Sequence, residues 1–164
     1  MTIALSNYSS ARTVTITLAS LASSTSLTSG RESTFIQSSA INAIDYQIGG
    51  IITASSTGAT ASRQIEVWSY GSWDGTNYSA GATGSDAAFS PTNTKTLLKL
   101  ITIIPTVATA SQAYNWGPFS IAQVYGGTVP PEWGVAVFHN MGANLSATSG
   151  NHSVLYTPIQ FTSS

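Results

Sequence analysis

The chain has 164 residues, a formal net charge of −1, 7% charged and 42% apolar side chains, and no cysteine. Five scattered basic residues cannot neutralise a phosphate backbone over a useful length, so nucleic acid is excluded as an expected partner. The lack of cysteine excludes disulfides, thiolate nucleophiles and Cys-ligated zinc.

Polarity in this chain comes from hydroxyls rather than charge. Thr is β-branched and favours extended backbone, while the Lys, Glu, Gln and Arg that solvate helical faces are scarce. Four Trp, seven Tyr and many Ile and Val argue against disorder. A weakly charged surface also repels its neighbours poorly, which points to an oligomer or a component of an assembly.

In chain order, Met1 to Asn7 lacks the basic start and apolar run of a secretory signal. Residues 1–12 are polar apart from a few apolar side chains and are read as an N-terminal arm, able to order on contact, ahead of a single domain over 13–164. Thr13 to Leu18 alternates Val14, Ile16 and Leu18 against three threonines, the pattern of a half-buried strand. Residues 19–33, rich in Ser and Thr and ending at Arg31-Glu32, are predicted to form a surface loop.

Further strands are predicted over about 43–55 and 63–70, with Gly49-Gly50 marking a bulge or bend in the first. Trp73-Asp74-Gly75 carries a hairpin-turn signal, because Gly tolerates positive φ, and a turned excursion is expected over Gly71 to Gly84. Lys95 to Pro105 reads as a largely buried strand, with helix open as an alternative over 95–101. Leu97 to Ile104, its greasiest part, is interrupted by Lys99 and Thr102 and is far too short to cross a bilayer, so no membrane partner is expected. Residues 116–125, 133–139 and 153–161 complete the set. About eight antiparallel strands with no helical pattern between them predict an all-β fold, a two-sheet sandwich of jelly-roll-like design.

The chemical constellations are weak. There is no Gly-x-Ser-x-Gly elbow, and His139 and His152 lie near predicted strand ends, where an imidazole faces solvent or satisfies a turn. The six acidic residues, Glu32, Asp45, Glu66, Asp74, Asp86 and Glu132, form no recognisable pair. Asp74 to Asn77 offers oxygen ligands but lacks the acidic spacing of an EF-hand loop, so turn chemistry is the better reading. Gly49-Gly50 and Gly126-Gly127 lack the helix and lysine of a phosphate-binding loop. No catalytic residue, metal or cofactor is therefore expected, and the chain reads as a non-enzyme. The aromatic group Trp68, Tyr70, Trp73 and Tyr78 fits core packing or subunit contact, with sugar stacking as the competing use.

Three segments carry a family resemblance: Val129-Pro130-Pro131-Glu132-Trp133-Gly134-Val135-Ala136-Val137, Asn140 to Ala147, and Gly150 to Tyr156. Together with Val67 to Gly84 and its Trp-Asp-Gly-Thr-Asn-Tyr core, they resemble small virion structural proteins of tailed bacteriophages. The resemblance implies a capsid decoration or cement protein, a jelly-roll-like homotrimer on the outer surface of the phage head. Its partner would be the major capsid protein, and it brings no catalytic residues. Tyr8, Trp73, Tyr78, Trp116 and Phe119 are the expected interface residues. A tail or fibre module that binds host carbohydrate through Trp73 and Tyr78 is the alternative.

Overall fold

The computed structural model describes residues 3–6, 10–38 and 43–163. It is all-β, with two antiparallel sheets packed face to face as a sandwich. The first sheet contains β1 (Ile3–Ser6), β2 (Arg12–Thr13), β5 (Ala43–Thr53), β10 (Ala113–Ser120) and β12 (Ser153–Ser163). The second contains β3 (Gly30–Glu32), β4 (Ile36–Gln37), β6 (Gln64–Ser72), β7 (Ala87–Phe89), β9 (Lys99–Pro105) and β11 (Glu132–His139). Short β8 (Thr92–Lys95) precedes β9, and a single helical turn, α1 (Ile121–Val124), follows β10. Among the described residues no helix is long and apolar enough to cross a membrane.

The two sheets differ in how they meet solvent. In β11, Trp133, Val135 and Val137 face the core between the sheets, while Ala136 and Phe138 face a second cluster with Tyr70, Phe89 and Leu98. That second cluster exists because the excursion between β6 and β9 folds back over the outer face of this sheet. Strands buried on both sides read as near-continuous apolar runs, and Trp133 to Phe138 does so. The first sheet buries only its inner face, through Tyr46, Ile48, Ile52, Tyr114, Trp116 and Val154, and leaves Ile51 and Leu155 outside.

Several local expectations change. Of the first predicted strand only Thr13 pairs as a ladder, together with Arg12 before it, although Val14 and Leu18 do point inward and the Val14 amide donates to Val154. The 19–33 loop ends in β3, which pairs with β11 and β7, and its Glu32 is buried rather than solvated. The bulge expected at Gly49-Gly50 lies instead on the facing strand, between Trp116 and Phe119 of β10. Gly50 allows β5 and β12 to approach, since a Cβ there would overlap the Ser153 carbonyl oxygen.

The Asp74-Gly75 turn opens the expected excursion rather than closing a two-strand hairpin, because β6 pairs with β11 and β9. Gly75 takes a φ of +70° there. The strand expected over 95–105 forms at Lys99–Pro105, but as a half-buried edge: β9 buries Ile101 and Ile104 and shows Leu100 and Ile103 to solvent. Strand character stops at Ser120, where the Ser120 hydroxyl accepts the Gln123 amide and caps α1. Residues 3–6, within the expected arm, pair backbone to backbone with Gln160 to Ser163 of β12.

Replacing Gly50 by Ala is expected to separate β5 from β12, with a cost of about 1–3 kcal/mol. Urea unfolding monitored by tryptophan fluorescence checks this, with Gly126→Ala, where a Cβ meets nothing, as the control for backbone strain alone.

Candidate functional site

The distribution of charge defines what surface this protein offers. All six carboxylates accept hydrogen bonds from within the chain. Asp45 takes the Ser120 hydroxyl and the Ala122 amide, each at 2.7 Å, and so ties α1 to β5. Asp86 takes the Thr17 amide at 3.0 Å, the Thr17 hydroxyl at 2.5 Å and the Arg31 guanidinium at 2.6 Å. Glu32 receives the Thr83 amide and hydroxyl, Asp74 closes its own turn through Ser72, Thr76 and Asn77, and Glu132 accepts the Tyr78 hydroxyl. Glu66 gathers Gln64, Trp68 and Lys95.

These bonds shift the groups they hold. Burial pushes the Glu32 carboxyl up despite its bonds to Thr83. Burial opposes ionisation of Glu66 and Asp86 too, but the bonds from Lys95 and Trp68, and from Arg31 and Thr17, outweigh it and hold both carboxyls low. Asp74, fully exposed, is held low by the Asn77 amide and side chain and the Thr76 amide. Burial, reinforced by the Glu132 carboxylate, pushes the Tyr78 hydroxyl up to about 12.

Of the two histidines, His139 is wholly buried, so a solvent-facing ring is corrected by its place at the inner end of β11. Its Nε2 lies 3.0 Å from the Leu21 carbonyl and must carry the proton, which leaves Nδ1 as a buried acceptor with no partner among the described residues. His152 accepts the Thr53 amide on Nδ1 and donates through Nε2 to the Ser146 carbonyl. Among the described residues both rings bond only to backbone groups. Among the described residues no three His, Asp or Glu side chains gather to hold a metal.

The expected interface residues separate in space. Trp73 is 66% exposed beside the Asp74 turn. Tyr78 is half-buried, its ring against Tyr70 and Phe35 and its hydroxyl on Glu132. Trp116 is corrected to a core residue at 7% exposure, because the alternation of β10 turns Tyr114 and Trp116 inward. Phe119, stacked on Trp116, borders a groove of about 430 Å³ with Leu100, Gln123 and Val124. Tyr8 lies outside the described residues.

Two features were not anticipated. The first is an exposed apolar row, Leu97, Leu100, Ile103 and Val107, along the open edge of β9. The density of apolar residues over 97–104 hid which side faced out, although Pro105 was compatible with an edge. The second is the cluster of Glu66, Trp68 and Lys95 at the floor of a pocket on the outer face of the second sheet. Alternation along β6 placed Glu66 and Trp68 on one face, but nothing in the sequence brought Lys95 to them.

Comparison with protein-family models, with curated proteins and with solved structures finds no match to this chain.

His139 gives a pH dependence whose sign follows from its environment. Burial lowers its folded pKa below the ordinary 6.5, so the unfolded chain takes the proton first as pH falls. Stability is expected to decline with pH below about 6.5, before most carboxylates titrate. Urea midpoints measured from pH 7.5 to 5 are expected to fall, and His139→Gln is expected to flatten that slope.

Proposed function

We propose that this chain is a non-catalytic viral structural protein, a decoration or cement protein that binds the outer surface of a phage head and stabilises contacts between capsid subunits. The observation that carries the reading is the exposed row Leu97, Leu100, Ile103 and Val107 on the unpaired edge of β9. An edge strand presents free N–H and C=O groups, and natural proteins ordinarily blunt such edges with charge or cover them. Among the described residues only Lys99 and Pro105 stand against pairing, and the apolar side chains are left uncovered.

Internal use of the carboxylates supports the same reading. An acid already bonded within the fold is poorly placed to serve as a general base, and a surface so weakly charged gains little from electrostatic steering. Attachment by apolar burial and edge pairing is the mode that remains, with the major capsid protein as the partner and a homotrimer as the bound unit. Binding to the assembled head, but not to free subunits, then stabilises the shell by mass action.

Exposed Trp73 favours a second reading, a tail or fibre module that stacks on host carbohydrate. Loss of glycan-array binding on Trp73→Ala, with head binding absent, would establish it in place of the first.

The test is cosedimentation with heads assembled from the major capsid protein encoded with this chain. Ile103→Glu is expected to weaken attachment about tenfold or more, since burying one such side chain contributes roughly 1.5–3 kcal/mol. Circular dichroism melting is expected to leave the variant folded, because Ile103 already faces solvent. Occupancy is expected to change little between low and moderate salt. Release by moderate salt, or full attachment of the variant, contradicts the reading.

A further inference from the structure

We propose that the pocket floored by Glu66 and Lys95 and walled by Trp68 binds one neutral pyranose ring of a glycan. The pocket adjoins the row at the β9 edge, since Glu66 and Trp68 pair with Ile103 and Leu100; the inference does not rest on the assembly reading, because its test reads sugar binding by the isolated protein.

The pocket encloses about 320 Å³, at the lower end of the range for small-molecule sites. Its floor is an ion pair between Lys95 and Glu66 whose side chains are only 17% and 10% exposed. The Lys95 nitrogen sits 4.1 Å from the centre of the Phe138 ring and 5.6 Å from that of Trp68. An ammonium has three N–H donors, and Lys95 gives one side-chain partner, Glu66, so donors remain for a ligand. At the rim the hydroxyls of Ser26 and Thr28 make no hydrogen bond among the described residues, and Thr94 supplies a third.

This donor set suits a sugar for three reasons. The face of an aromatic ring is negative and attracts the weakly positive C–H face of a pyranose. Ring hydroxyls need both donors and acceptors, which the ammonium and the Ser and Thr hydroxyls provide together. Lys95 and Glu66 cancel, so the pocket favours a neutral hexose over an acidic or amino sugar. An ion pair held only for stability is commonly replaceable by apolar packing, whereas this one lies open to a cavity beside an indole. Trp73, although more exposed, has no such partners, because the neighbouring Asp74 is consumed by its own turn.

The experiment follows the four indole N–H signals of the protein by NMR during titration with methyl glucoside, methyl galactoside, methyl mannoside and N-acetylglucosamine. At least one probe is expected to move the Trp68 signal saturably, with a dissociation constant on the order of 1 mM, while Trp133 stays fixed. Thr28→Arg, a change at an exposed rim position, is expected to weaken that binding at least about tenfold while the remaining spectrum is preserved. Lys95→Met is expected to do the same if it folds, and the rim variant keeps the test decisive if it does not. No saturable shift with any of the four sugars at about 100 mM would overturn the proposal. So would unchanged binding in Thr28→Arg, or a saturable shift of Trp73 in place of Trp68.

Discussion

Six carboxylates hold the irregular parts of this protein against its two sheets. Loops carry backbone amides that require partners, and an ionised acceptor makes stronger hydrogen bonds than a neutral one. Asp45 fixes α1 to β5, Glu32 fixes the Thr83 turn to β3, and Asp86 fixes the Thr17 segment to Arg31. Glu132 holds Tyr78 over the outer cluster, and Glu66 draws Lys95 across the ring of Phe138. Without these bonds the excursion between β6 and β9 would have little reason to cover the second sheet, and Ala136 and Phe138 would lose their second layer.

Committing the acids inward decides what is left outside. Arg12, Arg63 and Lys99 form no ion pair among the described residues, and most of the remaining surface is hydroxyl, amide and methyl. Such a surface offers shape, apolar area and hydrogen-bonding groups rather than an electrostatic field. The apolar edge of β9 and the pocket beside Trp68 are two places where that chemistry is concentrated, and they lie on the same sheet because only that sheet has an excursion folded over it.

The all-β sandwich was legible because its signals are local. Alternation marked β6 and the apolar run of Trp133 to Phe138 marked a buried strand, while the glycine pair of β5 signalled a bulge that lies on the facing strand β10. The short strands were not legible: β3 has three residues and exists only because β11 and β7 flank it. The buried state of Glu32 was hidden for the same reason, since its partner Thr83 is distant in sequence. Trp116 and Phe119 looked alike as aromatic interface candidates, and only the register of β10 turned one inward and left the other beside a groove. Side-chain type specified layers here, whereas the site required knowing which loops cross which face.

Titration of the carboxyl carbons by NMR tests the role given to the acids most directly. The account predicts Glu66, Asp74 and Asp86 titrating clearly below ordinary carboxylates and Glu32 above them. A single shared transition for all four at ordinary carboxylate values would contradict it, because the acids would then be solvated rather than bonded to the loops they are said to hold.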